Sequence, residues 1–286
     1  MTLGDIPQQR TRKQIYDYVV SEGEALATSM KEPGANVYGR VDRTAAWFLL
    51  ARVYLNAKTW VGEDQYENAY KYAKKVITES PYKLASDYRN IFLADNNTCS
   101  EIIWPLVQDA DNAQGSAGTN FFIKALVNGE MNNYYETGVG TKGWGNSRVK
   151  TQLLDLFPVS DQTFDENDTW GDNKKDKRAQ FFSIGHTRET WKDGKEFQKD
   201  FKNGYACIKW RNVTKERKEL VPGGTVYSSV DFPMFRTADA YLMAAEAILR
   251  GASGTRAEAL GYVNEIRDRA YMSGKYGNGE SGRISD

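Results

Sequence analysis

Asp42-Arg-Thr-Ala-Ala-Trp-Phe-Leu-Leu-Ala-Arg-Val-Tyr-Leu-Asn-Ala57 is the stretch from which the fold is read. Ala45, Trp47, Phe48, Leu50, Ala51, Val53, Tyr54 and Leu55 make it densely apolar at helical spacing, and Asp42 stands where an N-cap belongs. A second helix is predicted from about Gln65 to Glu79, with Tyr66, Ala69, Tyr70, Ala73, Val76 and Ile77 on one face and a stop before Pro81. Alanines at fixed offsets let two antiparallel helices approach closely, while the large residues lock the pair against a neighbour.

Upstream, Ile15, Tyr18, Val19 and Leu26 predict a helix from about Arg12 to Ala27, ended by the breaker Lys31-Glu-Pro-Gly34. Downstream, Ala240 to Leu249 and Arg256 to Tyr271 predict a second hairpin around the turn Gly251-Ala-Ser-Gly254. Trp47-x2-Leu50-Ala51-x2-Tyr54, Ala69-x3-Ala73 and Pro81 match the tetratricopeptide (TPR) pattern, except for an insertion, Thr59 to Asp64, expected to form a surface loop. The hairpins lie too far apart in sequence for a continuous solenoid, so the intervening segment should pack beside them as an excursion. Within it, Glu101 to Val107 and Gly204 to Val213 read as strands, among Gly-, Asn- and Asp-rich stretches at Asp109–Asn120, Asn132–Ser147 and Asp161–Asn173. The expected fold is mainly α: TPR-like hairpins in 1–99 and 236–286, and an irregular, loop-rich part with short strands in 100–235, all one composite domain.

Composition narrows the chemistry. Lys plus Arg and Asp plus Glu both number 38, so no global field draws in nucleic acid or an anionic membrane. One run departs from this balance: Asp172 to Lys218 holds 14 Lys/Arg against 7 Asp/Glu, with Trp191, Phe197, Phe201 and Tyr205 interleaved. Without a recognised nucleic-acid motif it reads as a solvated hairpin face. The single histidine, His186, removes most metal and triad chemistries and reads as an exposed bystander. Cys99 and Cys207 form no CxxC and read as two buried thiols. Asp161, Asp165, Asp168 and Asp172 invite a calcium reading, but their spacing lacks the Gly and terminal Glu of an EF-hand loop, and no metal or cofactor is expected.

The order and spacing of several stretches resemble the SusD/RagB family of surface glycan-binding lipoproteins from polysaccharide-utilisation systems. These are Gly39 to Ala57, Tyr72-Ala-Lys-Lys-Val-Ile77, Ser100-Glu-Ile-Ile-Trp104, Asp176-Lys-Arg-Ala-Gln-Phe181, Asp231 to Ala247 and Asn264-Glu-Ile-Arg-Asp-Arg-Ala270. The resemblance implies a TPR-like half carrying an irregular half that helps form a glycan site. It also implies a lipid anchor in the outer membrane, outside this chain, and a SusC-type TonB-dependent transporter as partner. Against the family pattern the chain lacks the signal, the lipidated cysteine, the opening helices and the acidic C-terminal segment, so a fragment of a longer protein is expected.

A neutral glycan offers hydroxyls and C–H faces, so its site needs open aromatic rings ringed by hydrogen-bonding groups. Trp144, in Thr141-Lys-Gly-Trp-Gly-Asn-Ser-Arg148, is the best platform, its flanking glycines leaving the ring open; it also matches a loop tryptophan that contacts glycan in family members. Asn146 and Arg148 stand beside it as donors or as loop supports. Tyr134, Tyr135 and Trp60 are further candidates, though the adjacent tyrosines cannot easily face one ligand together. The function expected is non-catalytic binding of oligo- or polysaccharide at the cell surface. A TPR-like protein-binding adaptor is the alternative; a glycoside hydrolase, which needs two carboxylates about 5 to 9.5 Å apart, ranks below both.

Overall fold

The computed structural model describes residues 8–285 apart from 113, 116, 193–194 and 197–199. It is helix-dominated, with helices α1 Arg12–Ser29, α2 Arg43–Val61, α3 Tyr66–Glu79, α4 Thr119–Leu126, α5 Thr151–Leu154, α6 Thr237–Leu249 and α7 Arg256–Ala270. The chain forms two compact units. The helical unit takes residues 1–83, 235–263 and 285–286; the loop unit takes 84–234 and 264–284.

In the helical unit α1 packs on α2, α2 on α3 and α3 on α6, the TPR-like succession. The predicted cap at Asp42 forms, and α1 has a capping box that the sequence reading did not anticipate. Asp42 accepts the N–H of Thr44 at 2.8 Å, and Thr11 and Gln14 make a reciprocal capping box at the start of α1. Close approach rests on small residues: Ala51, Ala57, Ala69, Ala73, Ala240, Ala244 and Ala247 are all fully buried. Gly23 matters for the same reason, since a Cβ there would lie 2.8 Å from the side chain of Leu50. Large residues fill what remains, as where Phe48 stacks on Phe235 at 4.4 Å. Tyrosines point their hydroxyls at shared carboxylates: buried Tyr54 and Tyr72 both donate to Glu24, and buried Tyr70 and half-buried Tyr262 both donate to Glu258.

Two boundaries differ from the sequence reading. α2 runs through Thr59 and Trp60 to Val61, because Gly62 (φ 78°) supplies the left-handed C-cap that ends it; the expected insertion loop shrinks accordingly. Gly204–Val213 is not one strand. Only β5, Ala206–Cys207, is extended, pairing with β2, Phe181–Phe182. Gly204 (φ 110°) breaks it on one side, and on the other Arg211 and Asn212 turn inward to buried backbone partners. The predicted strand at Glu101–Val107 forms as β1, Ile102–Leu106, paired with β6, Phe232–Arg236, in which the chain passes back to the helical unit. The short strands β3, Trp191–Lys192, and β4, Lys195–Glu196, make a two-stranded ribbon.

The loop unit is irregular, and its backbone is satisfied largely by side chains. Asn96 donates to the carbonyls of Ile91 and Asp231 and accepts the N–H of Asp231. Asn212 donates to Gly138 and Tyr227 and accepts from Ser229. A buried ion pair, Glu101 to Arg269 at 2.6 Å, ties β1 to the end of α7, and Glu101 also accepts the N–H of Ala85. No described helix is long and apolar enough to cross a membrane.

Several sequence expectations are corrected here. His186 is half-buried rather than exposed. Its Nδ1 meets the carbonyl of Gly204 at 2.8 Å, its ring packs edge-on to Phe182 and Phe201, and burial pushes its pKa down. Cys99 and Cys207 are free and only partly buried. Phe197, counted in the basic run, lies outside the described residues, and of Trp191 only the backbone is described.

Candidate functional site

The segment bearing Trp144 docks on the carbonyls at the C-terminal end of α4. The N–H groups of Trp144, Gly145, Asn146 and Ser147 donate to the carbonyls of Lys124, Val127 and Ala125, at 2.6 to 2.8 Å. The flanking glycines serve this docking rather than opening the ring. A Cβ on Gly143 would stand 2.5 Å from the Val127 carbonyl, and Gly145 (φ 61°) needs the left-handed region. The indole itself is open, 41% exposed, so it does not seal the interior.

Beside it α4 presents two rings that the sequence reading missed. Thr119 and Asn120, both buried, fasten the start of this short helix: Thr119 Oγ1 donates to the Val230 carbonyl at 2.6 Å, and Asn120 accepts the N–H of Ser228. That anchorage turns Phe121 and Phe122 outward, 47% and 39% exposed. A signal for them existed, because at about 100° per residue Phe121 and Phe122 fall opposite the face that carries Thr119, Asn120, Ile123 and Lys124.

The rings form a continuous band. Trp144 meets Phe121 edge-on at 6.1 Å, Phe121 meets Phe122 at 6.1 Å, and Phe122 stacks on Phe232 and Trp210 at 5.5 and 5.8 Å. Trp210 packs at its far side against Phe92, which is core, so the band is braced from below. The Lys124 ammonium lies 5.3 Å from the Trp144 ring and 5.6 Å from that of Tyr227. Burial, with Lys142 nearby, holds its pKa below the usual lysine range. Chemically the band offers apolar faces for C–H groups, with amide and ammonium donors at its edge.

The other sequence candidates fall in different places. Asn146 is exposed next to the indole. Arg148 is half-buried and donates to the Asp200 carbonyl at 3.1 Å, which braces the loop. The adjacent tyrosines divide: Tyr134 is 37% exposed, whereas Tyr135 is core, its hydroxyl without a hydrogen-bond partner among the described residues and its pKa raised by burial. Tyr135 is therefore corrected to a packing residue, lying over Phe182 and Phe164. Trp60 belongs to the helical unit, in the last turn of α2, 42% exposed.

A wider cleft of about 780 Å³ is lined by Asp161, Asp165 and Asp168, with Phe164 as its one ring. Its three aspartates accept backbone N–H groups of the surrounding loops. Asp161 accepts the N–H of Lys175 and Asp176, Asp165 that of Asn167, and Asp168 those of Asp172 and Asn173. Asp172 pairs with Arg89 and Arg217. Among the described residues no group of three or more His, Cys, Asp or Glu is placed to hold a metal ion.

Residues 100–278 match the model of the SusD family. The starch-binding protein SusD of Bacteroides thetaiotaomicron is 30% identical over 95% of this chain and 53% of its own length. Among solved structures, surface glycan-binding protein A from Bacteroides uniformis has a TM-score of 0.61 at 20% identity, covering 96% of this chain and 52% of the other. Surface glycan-binding protein A from Bacteroides thetaiotaomicron in complex with laminarihexaose also has a TM-score of 0.61 at 20% identity, covering 96% of this chain and 56% of the other. The chain thus spans about half the length of these relatives.

Proposed function

Since this chain belongs to the SusD family, we propose that it binds oligo- or polysaccharide without breaking bonds, and that the band Trp144–Phe121–Phe122 is the platform. The observation that carries the reading is the band itself: three open rings about 6 Å apart, on backbone docked at every residue from Trp144 to Ser147. Such a surface suits a ligand that presents repeated C–H faces, because each sugar ring buries apolar area against a pre-ordered side chain and little conformational entropy is lost on the protein side. Asn146 supplies amide donor and acceptor groups at the edge. Non-catalytic binding agrees with a relative whose name describes starch binding. Display on the outer-membrane surface through a lipid anchor, and delivery of the glycan to a SusC-type TonB-dependent transporter, complete the proposal; both rest on family membership.

Affinity electrophoresis of the full-length protein in gels containing starch or laminarin tests it. Retarded migration in at least one gel is expected, abolished by Trp144→Ala and weakened by Phe121→Ala. Unretarded migration in both gels, by folded protein, counts against the reading. Release of reducing sugar in the same incubation overturns its non-catalytic part.

A further inference from the structure

A second concavity adjoins the Trp144 segment. It holds about 180 Å³, below the roughly 300 to 1,000 Å³ of sites for larger ligands, so it has room for a single ring rather than a chain. Its floor is apolar, made by Met131, Phe182 and Ile184. Tyr134 forms a wall, tilted against Phe182 at 5.6 Å. The rim is polar: Asn128, His186, and the pair Glu130 to Lys202, joined at 2.8 Å. Asn128 is also the bridge partner of Trp144, so the pocket opens one residue away from the segment that carries the indole.

We propose that this pocket is a second saccharide subsite, seating one neutral pyranose of the glycan that lies on the aromatic band. The inference rests on the glycan-binding reading and adds to it a separate, ring-sized pocket with its own polar contacts. A pyranose has an apolar C–H face, which the Tyr134 ring and Ile184 complement above the buried Phe182 and Met131, and a girdle of hydroxyls that both donate and accept. The rim is built for both roles. One hydroxyl of a vicinal pair donates to the Glu130 carboxylate while its neighbour accepts from the Lys202 ammonium, two charge-assisted bonds to adjacent groups. The ion pair between them is exposed on both sides, so solvent already competes for it and little holds it shut against a ligand. His186 adds an acceptor. With its Nδ1 proton given to the Gly204 carbonyl, the neutral ring keeps Nε2 as a lone pair. A wholly anionic sugar fits less well, because Glu130 stands on the rim.

His186 lines the pocket, and its imidazole signals are identified by their loss in His186→Gln. Imidazole resonances of the full-length protein are followed by two-dimensional nitrogen–proton NMR during titration with maltoheptaose and, separately, laminarihexaose. The His186 signals are expected to move and to saturate with the same Kd that calorimetry gives. Glu130→Gln and Tyr134→Ala each weaken that binding about tenfold. Where an oligosaccharide binds and Trp144→Ala abolishes binding, but the His186 signals stand still and Glu130→Gln matches wild type, the subsite is overturned and the aromatic platform survives. Where wild type binds neither oligosaccharide, both fall together.

Discussion

In the helical unit the close contacts are made by alanine, with Ala51, Ala69, Ala73 and Ala247 fully buried between helices that satisfy their own backbones. In the loop unit the corresponding residue is asparagine: Asn96, Asn120 and Asn212, also buried, stand in for the backbone partners that an irregular chain lacks. The first arrangement tolerates loss of side-chain polarity but not added volume. The second tolerates neither an unpaired polar group nor a missing one, and this is what allows it to hold loops rigidly enough to present open rings.

The comparison is broken most severely at Glu101. Glu101→Ala leaves Arg269 buried and uncompensated and removes the acceptor for Ala85, so a loss of about 3–5 kcal/mol is expected in urea unfolding. Hydrogen exchange should locate it: β1 amides exchange faster while those of α2 and α3 keep their protection. Equal loss of protection in α2 and α3 would show that the units do not respond separately. Next is Ala73→Leu, which forces volume into the fully buried face of α3 and should cost about 1–3 kcal/mol by thermal melting, whereas Leu at the exposed position Lys71 costs little.

A smaller effect is expected at high pH. Burial, and then donation to Glu24, raise the pKa of Tyr54 and Tyr72 above the usual tyrosine value of 10.0; burial and Asp42 do the same for Tyr82, and burial and Glu258 for Tyr262. A raised pKa keeps these groups protonated in the folded state after the unfolded chain has begun to lose protons. Their contribution is therefore complete below about pH 10 and declines as pH rises beyond it. All four lie in the helical unit. Circular dichroism above pH 10 should show helix loss with a slope reduced in Tyr54→Phe and Tyr72→Phe. An unchanged slope would remove the Glu24 network from the account.

Periodicity made the helical unit legible, because Ala and aromatic residues at helical offsets report burial directly, and Asp42 announced its cap. The last turn of α2 was hidden by reading Thr59 and Trp60 as loop, although Gly62 marked the true end. In the loop unit, the alternation of Ala206, Ile208 and Trp210 reads as a strand, but Arg211 and Asn212, polar and adjacent, both turn inward to backbone partners and end it. Trp144 was legible as an open ring, but for a different reason: its glycines permit backbone docking. Phe121 and Phe122 are less legible, because α4 is short and follows a Gly-, Asn- and Asp-rich stretch with no helical period.

Trp144 and Trp60 are nearly equally exposed tryptophans, one in each unit, and only the first belongs to a braced aromatic band. Replacing either by Ala should leave the melting temperature almost unchanged. Titration calorimetry of the full-length protein with maltoheptaose and laminarihexaose therefore compares ring with ring. Trp144→Ala is expected to weaken binding at least about tenfold, a loss of about 1.4 kcal/mol, with Trp60→Ala within about twofold of wild type. Wild-type affinity in Trp144→Ala, or an equal loss in both variants, would contradict it.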